Sequence, residues 1–344
     1  MKAVRIDEPG QIRLVDVPNP NPGPGEAIID IAYSGICGSD VELFAGERPG
    51  GLVRYPVIPG HEWSGTVAEV GTATDRALVG AKVVGEGFGS CRTCARCADE
   101  EAVVCETRYD EIGFTRPGAW AQQLVIPVGQ LHRLTPEADL RSAAALEPAA
   151  CAADAVRRAA VTHLDRVAVV GGGTLGCLTV QLLRAAAPRE LVVIDPGSRA
   201  AAMALRCGAT STMDPAGIGD CAHGFDVVVE AAGGRTALEA AISLTRRGGR
   251  LVVIGVPDPA VAINAFDLFE QRVELHSVFG APHAAWLDAV DAFTQGTLDP
   301  GVLVTHEIDI ASADEALRLL ERGAPDVGKV LLRVTPVLRG QQCN

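Results

Sequence analysis

The sequence predicts an α/β protein of two domains, one β-rich and antiparallel, the other a parallel sheet wrapped by helices. Three observations carry this. The chain has 344 residues, more than one hydrophobic core usually serves. Its first 150 residues read as short strands cut by turn signals: PNPNPGPGE at 18–26, RPGGLVRYP at 48–56 and the alternating SGTVAEVG at 64–71. From about residue 150, apolar runs of four to six residues alternate with Ala-rich helical segments, the pattern of βαβ units around a sheet buried on both faces.

The expected strands of the second region are RVAVV at 166–170, LVVI at 191–194, FDVVVE at 225–230, LVVIG at 251–255 and VELHSV at 273–278. Helices are expected near 174–187, 198–207 and 236–246, the last closed by Gly248 and Gly249, which suit a left-handed helix end. After about 285 the pattern is mixed, with a helix at ADEALRLLERG and a final strand VGKVLLRV. No internal repeat or low-complexity tail interrupts it.

Composition narrows the function. Apolar residues make up 48% and charged residues 21%, the balance of a folded soluble protein. Thirty basic against 43 acidic residues give a net charge of −13, a field that repels phosphate backbones and anionic lipid surfaces. Neither nucleic acid nor a membrane is expected as a partner. The start MKAVRIDEPG carries charges where a secretory signal needs an apolar core, and no run of about 18 apolar residues follows, so a cytoplasmic location is expected. Of ten cysteines, Cys151, Cys177, Cys207, Cys221 and Cys343 stand singly and are expected as small buried apolar residues. The other five point to metal.

CRTCARCADEEAVVC places Cys91, Cys94, Cys97 and Cys105 at the spacing C-x2-C-x2-C-x7-C. Four thiolates in one short loop suit a closed tetrahedral zinc site that stiffens a lobe rather than reacting. An iron–sulfur cluster is the rival, although its usual spacings differ. A second, looser set comprises Cys37 in GICGSD, His61 and Glu62 in PGHEWSG, and Glu147 in ALEPAA. Thiolate, imidazole and carboxylate together hold zinc while leaving one position open. Singly, each has a structural alternative: a buried thiol, a turn histidine, a carboxylate at a helix N-terminus.

The third signal is GGGTLG at 171–176, after an expected strand and opening an expected helix. Gly171, Gly173 and Gly176 fill G-x-G-x-x-G, with Thr174 and Leu175 between the last two, so that a pyrophosphate can rest on the helix N-terminus. Asp195 ends the next strand about 20 residues on, where a carboxylate holds the adenosine ribose. It repels a ribose 2′-phosphate, which favours NAD over NADP; Arg199 nearby is the residue that could instead accept that phosphate.

Together these residues resemble the zinc-dependent medium-chain dehydrogenase family, the alcohol and polyol dehydrogenases. GHEWSGTVAEVG at 60–71 matches that family's G-H-E-x-x-G-x-V-x-x-V-G stretch, and the cysteine lobe and glycine loop follow at its usual distances. The resemblance implies a GroES-like catalytic domain from residues 1–150 and 286–344, carrying a structural zinc lobe at 91–105. It implies a Rossmann NAD-binding domain at 151–285, with a cleft between the two. It further implies two zinc ions per chain, a catalytic one on Cys37, His61 and an acid, with Ser39 relaying the alcohol proton, and a homodimer or homotetramer.

Glu147 stands in an L-E-P context similar to sorbitol and other polyol dehydrogenases. In such relatives Glu62 can take the ligand position directly while the later glutamate acts through water. VIPGHEWSGTV and EIGFTRPGAWA also resemble deoxy-scyllo-inosamine dehydrogenases of aminocyclitol pathways, whereas GEG before the cysteines and GKV near the end are shared with threonine dehydrogenases. Two positions depart from the pattern: Glu42 and Asp154 stand where many relatives carry histidine. The implied reaction is reversible oxidation of a secondary alcohol of polyol, cyclitol or aminocyclitol type. Threonine or a simple secondary alcohol is the alternative substrate, and a non-catalytic zinc- and nucleotide-binding relative the alternative class. Phe114, Trp120 and Phe279 are candidates for the pocket wall or, as aromatic residues usually serve, for the core.

Overall fold

The computed structural model describes residues 1–256, 261–324 and 326–334. They divide into two units: Met1–Glu147 together with the chain from Val304 on, and Pro148–Leu303. The return to the first unit falls after Leu303, later than residue 285. Gln181 explains this, because its side-chain amide accepts from Asp299 N–H at 2.7 Å and donates to Asp299 C=O at 3.2 Å, tying the segment after helix His283–Thr294 to the second unit.

The first unit is built on a seven-stranded sheet. Its path runs Val304–Asp309, Lys329–Arg333, Glu26–Ile36, Trp63–Val70, Lys82–Gly85, Leu131–Arg133, and Gln123–Pro127 also pairs with Glu26–Ile36. All pairings are antiparallel except that of Val304–Asp309 with Lys329–Arg333. Period-two patterning would put Val67 and Glu69 on one face, yet Val67 is buried and Glu69 exposed, because the register shifts from Ile29↔Val67 to Ile28↔Glu69 and the extra residue turns the strand. Ile29, Ile31, Trp63, Val67, Trp120, Leu124 and Ile126 share one core with Leu317 of helix Ala313–Glu321. Lys2–Glu8 and Gln11–Asp16 form a separate hairpin.

In the second unit six parallel strands run in the order Ser211–Met213, Glu190–Ile194, Arg166–Val170, Phe225–Glu230, Thr245–Val253, Glu274–Ser277. The continuous apolar runs are buried on both faces: Val167 to Val169, Leu191 to Ile194 and Val227 to Val229 are at most 2% exposed. Strand order reverses between Arg166–Val170 and Phe225–Glu230, the switch point where open α/β sheets bind ligands.

Three expectations are corrected here. The helix expected to 246 runs Arg235–Leu244 and stops at the extended Thr245. Gly248 has φ +68° inside the strand Thr245–Val253, where the register jumps from Phe225↔Thr245 to Val227↔Arg250. The glycines therefore serve a bulge, not a helix cap. The helix expected to 187 ends as an α-helix at Leu183 and closes with a 3-10 turn over Arg184–Ala186. Among the single cysteines, Cys177 and Cys207 are buried as expected, Cys151 and Cys221 only half so; Cys343 lies outside the described residues.

One buried acid joins the strand ends at the switch point. Glu230 closes Phe225–Glu230 fully buried, and its Oε1 accepts from Ala232 N–H at 2.8 Å and Gly233 N–H at 2.7 Å. Its carbonyl accepts from Ile254 and Gly255 at 2.9 and 3.0 Å, while Oε2 has no hydrogen-bond partner. Burial raises its pKa, against the two N–H donors, which lower it. A raised acid binds its proton more tightly folded than unfolded, so its contribution is full below the ordinary glutamate value and is lost as pH rises through the folded one. Urea unfolding at pH 5 and pH 8 should therefore show wild type losing stability relative to Glu230→Gln as pH rises. Parallel curves would contradict this.

Candidate metal and dinucleotide sites

Strand pairing assembles the first site. Ser34 lies opposite Trp63, so the residues just after one strand and just before the other meet: Gly35 N–H donates to Glu62 C=O at 2.9 Å and Ser34 Oγ to the same carbonyl at 2.7 Å. Cys37 follows as the N-cap of helix Gly38–Ala45, its N–H donating to Asp40 Oδ2 at 2.9 Å. One ligand atom each from Cys37, His61 and Glu62 lies within 4.8 Å of the others. A side chain at position 35 would block this, since a Cβ there would sit 1.9 Å from Glu62 Oε2.

The charges explain what the trio can hold. Burial pulls the His61 pKa down, but Asp40, 3.5 Å from Nδ1, and the Cys37 thiol override it, so the imidazole titrates well above its ordinary value. A field that favours positive charge at this point also favours a cation. Glu62, fully buried, ion-pairs through Oε2 with the ammonium of Lys329, which donates to Ile36 C=O at 3.0 Å. Burial would strip the Lys329 proton, yet Glu62 and Cys37 hold it, and the net shift is upward. Glu62 Oε1 is buried with no hydrogen-bond partner. Soft, borderline and hard donors around an unsatisfied carboxylate oxygen fit zinc.

Glu147 stands outside the trio, half-buried in the first turn of helix Leu146–Ala159. Burial, opposed by His61 and reinforced by Glu62 and Glu111, pushes its carboxyl up to about 7. Ser39 Oγ lies 3.5 Å from His61 Nε2. Asp40 and Lys329 were not singled out in the sequence. Asp40 left a signal, an acid at the third helical position after the cap; Lys329 left none, because only the pairing of Val330 with Ile36 brings it in.

The four-cysteine lobe closes on itself. Cys91, Cys94, Cys97 and Cys105 form one metal-competent group, with Cys91 and Cys97 sulfurs 3.8 Å apart. Cys94 caps the short helix Ala95–Ala98 by accepting from Cys97 N–H at 3.5 Å. Hydrogen bonds from Thr107 and Thr93 bring the Cys91 thiol down to about 4, and Thr107 brings Cys105 down to about 7. Such N–H and O–H donors stabilise thiolates, the form that binds zinc.

In the second unit Gly173 caps helix Thr174–Leu183, which begins with Thr174 and Leu175. Gly176 cannot be larger, because a Cβ there would lie 1.9 Å from Gly171 C=O. Asp195 follows strand Glu190–Ile194 and accepts from Gly172 N–H at 2.8 Å and Gly197 N–H at 2.7 Å, so it braces the glycine loop itself. Arg199 lies in the first turn of helix Ser198–Cys207. Of the aromatic candidates, Phe114 and Trp120 are buried and Phe279 is exposed; Phe114 stacks on His61 with centroids 4.9 Å apart. Glu42 sits half-buried on helix Gly38–Ala45, and Asp154 is buried against Arg158 at 2.7 Å.

Removing one member of a buried ion pair strands the other charge and costs about 3–5 kcal/mol. Lys329→Met should lower the unfolding free energy of the metal-depleted protein by that amount in urea titration. A loss below about 1 kcal/mol, the scale of an exposed pair, would contradict the buried-pair assignment.

Comparison with known proteins agrees with this geometry. Residues 23–136 match the alcohol dehydrogenase GroES-like domain and residues 174–295 the zinc-binding dehydrogenase domain. The chain is 31% identical to the erythritol/L-threitol dehydrogenase of Mycolicibacterium smegmatis, covering 95% of this chain and 96% of the relative. It is 28% identical to the L-threonine 3-dehydrogenase of Mesorhizobium japonicum, over 94% and 96%. A Sinorhizobium meliloti protein described as a zinc-binding dehydrogenase, solved bound to NADP, superposes with TM-score 0.88 at 29% identity, over 96% and 98%. The parallel-sheet unit is thus a Rossmann domain and the β-rich unit GroES-like, and the chain belongs to the zinc-dependent medium-chain alcohol dehydrogenase family of oxidoreductases.

Proposed function

We propose that the protein is an NAD-linked zinc dehydrogenase that interconverts a secondary alcohol of a polyol and the corresponding ketone. The observation that carries this reading is the meeting of Cys37, His61 and Glu62 at one buried point whose field favours a cation. Cys37, His61 and Glu62 hold the metal directly, and Glu147 acts from outside the trio through water. Zinc there would supply Lewis acidity of the kind that brings the pKa of water down to about 7 in zinc enzymes, and the dinucleotide would supply the hydride acceptor.

The chain's own residues do the rest. Asp40 fixes the imidazole ring, the usual task of a carboxylate behind a ligating histidine. Lys329 offsets the Glu62 charge, and Ser39 takes the alcohol proton towards solvent. The helix that begins at Thr174 receives the pyrophosphate on its free N–H groups. Asp195 takes the ribose hydroxyls and disfavours a 2′-phosphate, with Arg199 beside it. Cys91, Cys94, Cys97 and Cys105 hold a second, structural zinc.

A polyol is favoured by the relative named for erythritol and L-threitol and by the L-E-P setting of Glu147; ring polyols, aminocyclitols among them, fall in the same class. Threonine is the second reading, supported by the Mesorhizobium relative. A homodimer or homotetramer is part of the same proposal. What supports it is the strand Glu274–Ser277 at the end of the six-stranded sheet with Leu275 exposed, and Phe266 and Phe269 exposed on helix Ala265–Gln271. No helix among the described residues is long and apolar enough to cross a membrane.

Metal analysis joined to absorbance at the reduced-nicotinamide band tests the reading. About two zinc per chain, with reduction of NAD faster than of NADP on a polyol panel, is the expected result. One zinc per chain and no turnover on any alcohol would overturn it.

A further inference from the structure

The metal and dinucleotide sites leave an open cavity of the second unit without a role. It holds about 480 Å³ and lies between helix Arg235–Leu244 and the segment 261–271, a volume within the range of small-molecule sites. Its floor is apolar: Leu238, Ile242 and Val261 all pack into the core of that unit. Glu239, Asp267 and Glu270 stand exposed at its rim, and no lysine or arginine lines it. Other acids of the same unit are answered by a guanidinium: Asp165 by Arg250 at 3.1 Å, Glu190 by Arg166 at 2.7 Å and Asp226 by Arg246 at 2.5 Å. Among the described residues, Glu239 and Glu270 form no ion pair.

His223 completes the wall. Its φ of +55° lies in the left-handed region, a conformation that surrounding contacts must hold in a residue with a Cβ. Two contacts do so: its N–H donates to Ser243 C=O at 2.8 Å and its ring Nδ1 to Thr245 C=O at 3.1 Å. In the neutral ring a proton on Nδ1 leaves Nε2 as an acceptor. The cavity thus sets negative charge and an imidazole acceptor above an apolar floor. Phe266 and Phe269, on the same short helix as Asp267 and Glu270, do not line it, so the subunit contact proposed through those rings uses other side chains.

We propose that this cavity binds a linear polyamine, its ammonium groups on the three carboxylates and on His223 Nε2, its methylene segments on Leu238, Ile242 and Val261. Charge complementarity selects a cation. The floor selects one with a hydrocarbon body, because burying methylene groups is favourable, whereas a hydrated metal ion gains nothing from apolar contact. A polyol carries no charge to place on the rim. The proposal is independent of the dehydrogenase reading, since the site needs neither zinc nor dinucleotide.

Isothermal titration of spermidine into the zinc-loaded full chain tests it. At pH 8 and about 0.15 M salt, long-range attraction to a protein of net charge −13 is screened. One spermidine per chain is expected. Glu239→Gln/Glu270→Gln should weaken binding about 5- to 30-fold, the worth of two exposed ion pairs, while Glu69→Gln/Glu321→Gln, which removes the same charge elsewhere, should stay within about two-fold. His223→Asn suits the left-handed backbone but loses the imidazole acceptor, and should weaken binding measurably. Ala262→Trp puts a large ring on an exposed lining position and should abolish it. Magnesium ions matched in charge should not displace spermidine. Equal losses in the two paired variants, binding that survives Ala262→Trp or yields to magnesium, or no saturable binding below about 1 mM would each overturn the site. Failure of the same samples to reduce NAD with any alcohol would bear on the dehydrogenase reading alone.

Discussion

Buried charge is the constraint around which the first unit is organised. Asp40, His61, Glu62 and Lys329 all sit at or below 5% exposure, where each ion bears a desolvation penalty that only a close partner offsets. Lys329 and Glu62 answer each other, Asp40 answers His61, and Cys37 contributes to both through its thiol. The arrangement still leaves Glu62 Oε1 unsatisfied and the imidazole drawn towards its protonated form. A dication at the trio, as proposed, would resolve both at once, satisfying the oxygen and replacing the proton as the source of positive charge. Metal affinity and the stability of this unit are therefore two aspects of one electrostatic balance.

The backbone around these residues is arranged to make that balance geometric rather than accidental. Antiparallel pairing of Glu26–Ile36 with Trp63–Val70 brings Cys37 and His61 to the same end of the sheet, and pairing of Lys329–Arg333 with the same central strand delivers the ammonium there. Sites built from strand ends inherit the rigidity of the sheet. The second unit follows the same logic with different chemistry. Its glycine loop is held by the Asp195 carboxylate and its switch point by the Glu230 carboxylate, so acids at the carboxyl ends of strands shape the edge where a dinucleotide would bind.

Legibility in the sequence followed how local each signal was. Strands Arg166–Val170 and Phe225–Glu230 and helix Ser198–Cys207 were visible to the residue, because continuous apolar runs and an Ala-rich helical segment are written in adjacent positions. The cysteine lobe was equally plain from spacing alone. The pair Gly248 and Gly249 misled, since glycine closes helices and opens bulges alike, and only the register between neighbouring strands decides which. The trio of Cys37, His61 and Glu62 was legible as residue types, but its convergence, the exclusion of Glu147 from the innermost group, and the partner Lys329 depend on strand pairing and loop packing that no window of sequence contains. The end of the second unit at Leu303 was hidden for the same reason, resting on the side-chain amide of Gln181.

Anomalous diffraction at the zinc edge from crystals of the metal-loaded protein tests the central claim most directly. The account predicts, besides a peak among the four cysteines, a second peak about 2.0–2.3 Å from Cys37 Sγ, a His61 ring nitrogen and a Glu62 carboxylate oxygen. A peak at the cysteine lobe alone, with those three side chains holding no metal, would contradict it.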